Sequence, residues 1–339
     1  MAHEVETMAY TGEMPWHGLG VPVSDDMTPE EMLIAANLDW TVSKRPAYTI
    51  DSPTWNENVG LINATGHHYI VRDIDNSILS HCGDDYTPFQ NETVFKFFKK
   101  FVSSGTMKME TAGSLREGRD IWGLAKIKTN FTLPGEDKVE GYLLINSPHI
   151  AGKALIVMFT PIRVVCANTM ALALDNNGKR FRVLHLQEFD DDIISAAEEA
   201  LGLSENKMEE FHEKAEFLCN SFTKPIDVQN YVAELFQPKL LLERGKLGTV
   251  VANDIPFIHE FSRTADSVYE AIYNSPGSDL KSAKNTWWGA LNGVTYMLDH
   301  KKRETERVHG SALYSSWMGP GAITKRKALD LALKYAKAA

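Results

Sequence analysis

Two groups of basic residues stand where they could bind the phosphate backbone of a nucleic acid. The first group flanks a predicted β-hairpin, and the second lies near the end of the chain. The positions are Lys108, Arg116, Arg119, Lys126, Lys128 and Arg163 in the first group, and Lys284, Lys301, Lys302, Arg303, Lys325, Arg326 and Lys327 in the second. Binding to a single strand needs cations along the backbone path and flat rings on which bases stack. These residues therefore predict a surface for single-stranded DNA.

The indole of Trp288 is the stacking ring that we expect on this surface. Trp287 and Leu291 share an apolar helix face, which predicts a buried Trp287. Trp288 lies off that face, so its ring is predicted to be exposed. A simpler interpretation of the lysines stays open, because basic residues gather at helix C-termini, where they interact favourably with the helix dipole.

The segment Trp16-His17-Gly18 is the most distinctive short motif near the start of the chain. In a functional interpretation, His17 is a ligand or a base beside an aromatic platform. In a structural one, which we prefer, Trp16 anchors an irregular arm while Gly18 and Gly20 adopt backbone angles that other residues avoid. Pro15 belongs to the same turn-rich stretch.

Cys166 follows a predicted strand and is the candidate nucleophile if the protein is an enzyme. A catalytic thiol needs a lowered pKa and a nearby base, and an inert buried cysteine is the alternative. An enzyme site would bring Cys166 together with His17, Arg163, Asn168 and Thr169 in one pocket. The sequence contains no phosphate-binding Gly-x-x-x-x-Gly-Lys-Ser/Thr loop, no Gly-x-Ser-x-Gly elbow and no His-Glu-x-x-His pair. We therefore favour a protein without catalytic activity and without a cofactor.

A metal site is considered at His67, His68, His81 and Cys82, which could meet across a hairpin. Adjacent residues of a strand point to opposite faces, so only one of His67 and His68 could join such a site. No Cys-x-x-Cys pair is present. The sequence therefore favours a polar strand surface, and we expect no metal.

The bulk properties indicate a globular protein that acts in the cytoplasm. The chain has 339 residues, 43% of them hydrophobic, and a formal net charge of −10. The charge is unevenly spread, at about −10 over residues 186–243 and about +6 over residues 279–339. No apolar run approaches the roughly 18 residues of a membrane helix, and the N-terminus does not resemble a secretory signal. The three scattered cysteines suit a reducing compartment.

The order of the predicted elements indicates an α+β fold. Thr28 and Glu31 form a capping box that starts a helix, a β-rich stretch follows, and Asn91 is predicted to cap the next helix. Strands then return without a regular βαβ period, which favours a largely antiparallel sheet with flanking helices. From about residue 190 the pattern is helical, so we predict an α+β domain over residues 1–188 with an N-terminal arm and a mainly helical region over residues 189–339.

Several sequence blocks are similar to the phage/plasmid-like protein family known as domain of unknown function 932. The blocks are residues 3–20, 85–92, 110–115, 163–169 and 285–300, and within them the family motif covers Pro15, Trp16, His17, Gly18, Gly20, Cys166, Asn168 and Thr169. The resemblance implies a protein carried on phages, prophages or plasmids, and it implies no reaction. The order of elements also resembles the Rad52-like annealing proteins of phages, which is an analogy of fold alone.

Our leading hypothesis is therefore an ATP-independent, single-stranded DNA-binding accessory protein that acts in an annealing-like manner and as an oligomer. Two alternatives stay open. One is a protein-binding factor, such as a counter-defence protein, that uses the acidic helices near residues 188–216 to contact a host or phage protein. The other is an enzyme with an unfamiliar site. We expect no membrane partner.

Overall fold

The computed structural model describes residues 5–12, 14, 18–50, 60–166, 168–169, 181–186, 190, 195, 204–236, 262–301 and 312–338. The chain divides into two compact units, neither of them continuous in sequence. The first comprises Met1–Lys128, Tyr142–Phe159 and Leu174–Ser204, and the second comprises Thr129–Gly141, Thr160–Ala173 and Glu205–Ala339. Within the described residues, no helix has the length and apolar character needed to cross a membrane.

The fold is α+β, as predicted, with strands in the N-terminal half and helices in the C-terminal region. The strands are β1 (Val5–Tyr10), β2 (Val21–Pro22), β3 (Val42–Ile50), β4 (Leu61–Arg72), β5 (Ser77–Cys82), β6 (Met107–Leu115), β7 (Asp120–Leu133), β8 (Asp137–Pro148), β9 (Ala154–Arg163), β10 (Asn168–Thr169) and β11 (Phe181–Leu184). The helices are α1 (Pro29–Ala35), α2 (Asn91–Ser103), α3 (Ser204–Cys219), α4 (Pro225–Phe236), α5 (Arg263–Asn274), α6 (Trp287–Tyr296), α7 (Ala312–Trp317) and α8 (Pro320–Ala338).

The strands form two sheets. The larger has the order β10-β9-β8-β7-β6-β1-β2, with β11 paired to β9, and the smaller has the order β3-β4-β5. The pairs β1–β6, β6–β7, β3–β4 and β4–β5 are antiparallel, whereas the short β1–β2 pair is parallel. Strand β4 is one continuous strand, and its residues 61–63 and 68–72 both pair with β3.

Local sequence explains the start of α1. The Thr28 side chain accepts a hydrogen bond from the backbone of Glu31, whose carboxylate accepts one in return from the backbone N–H of Thr28. Pro29 occupies the first turn, where its missing N–H costs nothing. Met32 and Leu33 are buried, so the capping box starts a helix whose apolar side packs into the core. The predicted capping box is confirmed.

The predicted cap of α2 is wrong. Gln90 is the N-cap, without a side-chain cap hydrogen bond, and Asn91 is the first helical residue. The Asn91 amide instead donates to the carbonyls of Leu38 and Trp40, at 2.9 and 3.3 Å. The helix buries Phe97 and Phe98. A partner distant in sequence therefore competes successfully for a side chain that local rules assign to the cap.

The second unit has a helical core around α6. Every residue of α6 is buried except Tyr296, and the π-helical turn Met297–Lys301 continues it. Trp287 packs against Tyr231 of α4 and Tyr335 of α8, with ring centroids 5.5 and 5.2 Å apart. The predicted burial of Trp287 is confirmed.

Candidate functional site

Three lysines of the predicted DNA surface lie on one face of β6 and β7. Lys108 stands directly opposite Lys126 in the antiparallel pair, and Lys128 is two residues further along β7. Side chains two residues apart on a strand share a face, so the three ammonium groups project from the same side of the sheet. Lys108 and Lys128 are exposed, and Lys126 is half-buried. The structure therefore places these three predicted residues together.

The two arginines of the β6–β7 turn are engaged with acidic residues. Arg116 donates from Nε to the carboxylate of Asp120 at 2.6 Å, and Asp120 is fully buried. Arg119 lies 3.8 Å from Glu117 and is exposed. Both residues lie in the turn between β6 and β7, and the Arg116 guanidinium supports this turn through Asp120.

Arg163 does not face solvent. Its side chain has no exposed surface, its Nε lies 2.7 Å from Oδ1 of the equally buried Asp137, and Nη2 donates to the carbonyl of Gly277. A guanidinium held in this way cannot contact a phosphate at the surface.

Trp288 is buried as well, which corrects the prediction of an exposed stacking ring. Its indole N–H donates to Asp137 Oδ2 at 3.0 Å, and its ring lies 6.0 Å from that of Phe211. The same carboxylate oxygen accepts a 2.5 Å bond from the hydroxyl of Ser282. The sequence did not single out Asp137, although it is the acceptor at the centre of this cluster.

Lys325 is a further predicted surface residue that the structure buries. Its ammonium group is bonded to Asp299 and lies 2.6 Å from Ser316 Oγ, and the Ser316 hydroxyl also bonds Asp299. Burial lowers the pKa of Lys325, and the Asp299 carboxylate opposes that shift. Asp299 belongs to the π-helical turn, a geometry that often occurs at functional sites.

The remaining C-terminal candidates differ in their exposure. Lys327 is exposed and Arg326 is half-buried. Lys284 is exposed and lines a cavity of about 160 Å³, together with polar residues such as Asp279 and Asn285. The side chain of Lys301 lies outside the described residues, as do Lys302 and Arg303.

The family-motif residues are described only in part. Pro15, Trp16 and His17 lie outside the described residues, as do the side chains of Cys166, Asn168 and Thr169, whose backbone follows β9 and forms β10. Gly20 has a φ of +104°, and a Cβ atom there would come within 3.2 Å of the Met8 carbonyl oxygen. That glycine supports the structural interpretation of the arm.

The other two cysteines, Cys82 and Cys219, are buried free thiols. Burial raises the pKa of the Cys219 thiol to about 12 and also raises the pKa of Cys82. A thiol with a raised pKa is a poor nucleophile at neutral pH.

A buried histidine centre in the first unit was missed by sequence reasoning. His149 is fully buried, and its Nε2 lies 2.9 Å from Asn91 Oδ1. His185 stacks on Tyr86 and Phe89, with ring centroids 4.8 and 4.1 Å away, and its Nδ1 lies 3.2 Å from the Thr87 carbonyl. Burial lowers the pKa of His149 to about 3 and that of His185 to about 4, so both rings are neutral near pH 7.

The two rings have defined tautomers, because the facing oxygens can only accept hydrogen bonds. Nε2 of His149 and Nδ1 of His185 therefore carry the protons. The other nitrogens, His149 Nδ1 and His185 Nε2, are buried and have no hydrogen-bond partner among the residues that the structure describes. No local motif reveals this centre, since its partners are far apart in sequence.

The comparison with protein families gives a match to the family described as "Domain of unknown function (DUF932)" over residues 78–335. The chain belongs to the DUF932 family. The search of curated proteins and the search of solved structures found no match.

Some of the sequence blocks that resemble the family lie next to one another within a unit. In the first unit, β1 pairs with β6, so that Met8 stands opposite Gly113, and the Ser114 hydroxyl donates to Glu6 Oε2 at 3.0 Å. In the second unit, Arg163 and Trp288 come from different blocks and both bond Asp137. These contacts stabilise the fold.

Proposed function

We propose that the protein binds single-stranded DNA, without using ATP, through the lysine face formed by Lys108, Lys126 and Lys128. The observation that carries the proposal is the direct opposition of Lys108 and Lys126 across the β6–β7 ladder. Like charges directly opposite each other destabilise a strand pair, and a bound phosphate between them offsets that repulsion.

The acidic partner of Lys108 is weakly held. Lys108 lies 3.6 Å from Asp25, and both side chains are more than two-thirds exposed. Exposed ion pairs of this kind contribute little and are screened by salt. A phosphate can therefore replace Asp25 at small cost.

A row of three cations on a sheet favours a single strand over a duplex. A flexible strand can adjust its phosphates to the row, whereas a duplex holds its phosphates on a curved surface. Because Trp288 is buried, binding rests on phosphate neutralisation, and we expect affinity to fall steeply as salt rises.

The cellular setting is part of the same proposal. The resemblance to the phage/plasmid-like family supports a role in the DNA metabolism of a mobile element, in the cytoplasm and as an oligomer. Annealing of complementary strands would follow if each copy exposes a bound strand to a second one.

A fluorescence titration with labelled oligodeoxythymidine at low and moderate salt tests the proposal. The variant Lys108→Gln/Lys126→Gln/Lys128→Gln removes three cations and should make the negative slope of log K against log salt shallower by about 2. The matched control Lys96→Gln/Lys99→Gln/Lys100→Gln removes three exposed lysines of α2 and should leave the slope unchanged.

Negligible binding by the unaltered protein at low salt would overturn the proposal, as would an equal loss in both triple variants. A stable partner recovered from nuclease-treated lysate, with no affinity for DNA, would instead favour the protein-binding alternative. Its predicted contact surface includes α3, on which Glu209, Glu213 and Glu216 are exposed.

A further inference from the structure

Two histidines meet on the outer surface of the small sheet in the first unit. His67 lies in β4 and His81 in β5, and both are exposed. The β4–β5 register places Tyr69 opposite His81, so His67 is the diagonal neighbour of His81 on the same face. Nδ1 of His67 lies 2.9 Å from Nε2 of His81, and the rings stack with centroids 5.0 Å apart and planes 24° apart.

A hydrogen bond alone is a weak reason for this arrangement. One neutral imidazole can donate to the other, but water competes with both partners at an exposed site, and the net stabilisation is small. The pairing of β4 with β5 nevertheless holds the two imidazole nitrogens close enough to bind the same ion.

The nitrogen separation suits a chelated metal. Imidazole nitrogens at about 2.0–2.1 Å from an ion lie about 2.9 Å apart at the right angle of a square-planar or octahedral Cu²⁺ or Ni²⁺ site. At the tetrahedral angle of Zn²⁺ they lie about 3.3 Å apart, a separation that a small rotation of the two exposed rings provides. Neutral imidazole is the ligand that Zn²⁺, Ni²⁺ and Cu²⁺ share, whereas Mg²⁺ and Ca²⁺ require oxygen ligands.

We propose that His67 and His81 bind a divalent transition-metal ion as a bidentate pair, with water in the other coordination positions. Within the described residues, no group of three or more His, Cys, Asp and Glu side chains is placed to hold a metal, so the pair supplies the protein ligands. Binding is therefore weaker than at a four-ligand structural zinc site, and it links β4 to β5.

The neighbouring His68 provides a matched control. It precedes Tyr69 on the same strand but points to the opposite face, where its Nδ1 lies 3.4 Å from Asp84. The variant His68→Ala therefore removes one histidine from the chain and leaves both proposed metal ligands, His67 and His81, in place.

Calorimetric titration of the full chain with Zn²⁺ in a chelator-free buffer at neutral pH tests the proposal. Because the chain has 11 histidines, the readout is the difference between variants. His67→Ala and His81→Ala should each weaken one equivalent of Zn²⁺ binding by at least about tenfold. His68→Ala should still bind this equivalent of Zn²⁺ with unchanged affinity, and Mg²⁺ should not displace Zn²⁺ from the site.

Thermal unfolding with and without Zn²⁺ gives a second measurement. An ion that binds only the folded chain raises its melting temperature, and this rise should disappear in His67→Ala but persist in His68→Ala. Equal Zn²⁺ binding by all four proteins, or an equal loss in all three variants, would overturn the proposal. The metal site does not depend on the proposed DNA binding, since it uses neither Lys108 nor Lys126.

Discussion

Asp137 and Arg163 form an ion pair at 2.7 Å in which neither side chain has any exposed surface. Ser282 and Trp288 donate to the same carboxylate, so the start of β8, the end of β9 and the start of α6 converge on it. A buried ion pair is tolerated when further hydrogen bonds satisfy its remaining polar atoms, and those bonds are present here.

Replacing Asp137 should strongly destabilise the second unit. Asp137→Asn leaves Arg163 as a buried charge without its counter-ion, which costs about 3–5 kcal/mol of unfolding free energy. Urea unfolding followed by circular dichroism measures the loss. The comparison variant Arg45→Ala breaks the exposed pair with Asp73 and should cost no more than about 1 kcal/mol. Comparable losses in the two variants would contradict the role of burial.

The cluster of Lys325, Asp299 and Ser316 allows a second test within one helix. Lys325→Met should cost about 3–5 kcal/mol because it leaves Asp299 buried and uncompensated, while Lys327→Met alters an exposed lysine two residues along α8 and should be nearly neutral. The double variant Lys325→Met/Asp299→Leu should be more stable than Lys325→Met alone. A double-mutant cycle from denaturant unfolding gives the coupling, and additive effects would argue against the pairing.

Stability of the first unit should fall as the pH drops below about 6.5. The folded-state pKa values of His149 and His185 are lowered to about 3 and about 4, against 6.5 for a free histidine. The unfolded chain therefore binds more protons below pH 6.5, and the stability present above that pH is lost towards the folded pKa values. Each histidine contributes a slope of up to about 1.4 kcal/mol per pH unit.

The unfolding free energy measured between pH 6.5 and about 5, above the range in which ordinary carboxylates titrate, checks this expectation. His149→Gln removes one titrating ring and should reduce the slope, even though it lowers stability at neutral pH. An unchanged slope would show that His149 is not a source of the effect.

Gly113 should not tolerate a side chain. A Cβ atom there would lie 2.3 Å from the ring of Trp122 and 2.4 Å from the Thr7 carbonyl oxygen, so Gly113→Ala forces the β1–β6 pair apart. Overpacking of this kind costs about 1–3 kcal/mol. Gly83→Ala, whose Cβ atom would lie 4.0 Å from the Gly66 carbonyl oxygen, is the matched control and should shift the thermal midpoint little. Similar midpoints for both variants would refute the close approach.

Predictions made from neighbouring residues in the sequence are wrong for side chains whose partners are distant in the sequence. Asn91 is a favourable N-cap residue, but its partner His149 lies 58 residues further along the chain. The helical pattern predicts an exposed Trp288 because a helix usually exposes one face, whereas α6 is buried on nearly all sides. The sequence predicts Arg163 and Lys325 as surface cations, because it does not show that Asp137 and Asp299 approach them inside the fold.

The sequence by itself determined the α+β class, the capping box of α1, the β6–β7 turn and the family to which the chain belongs. Those features depend on hydrogen bonds and periodicities within a few residues of each other. Only the tertiary structure decided which charges are buried in pairs, which lysines share a face, and which histidines meet. Such contacts join residues tens to more than a hundred positions apart, and their strength depends on burial, which exists only once the chain has folded.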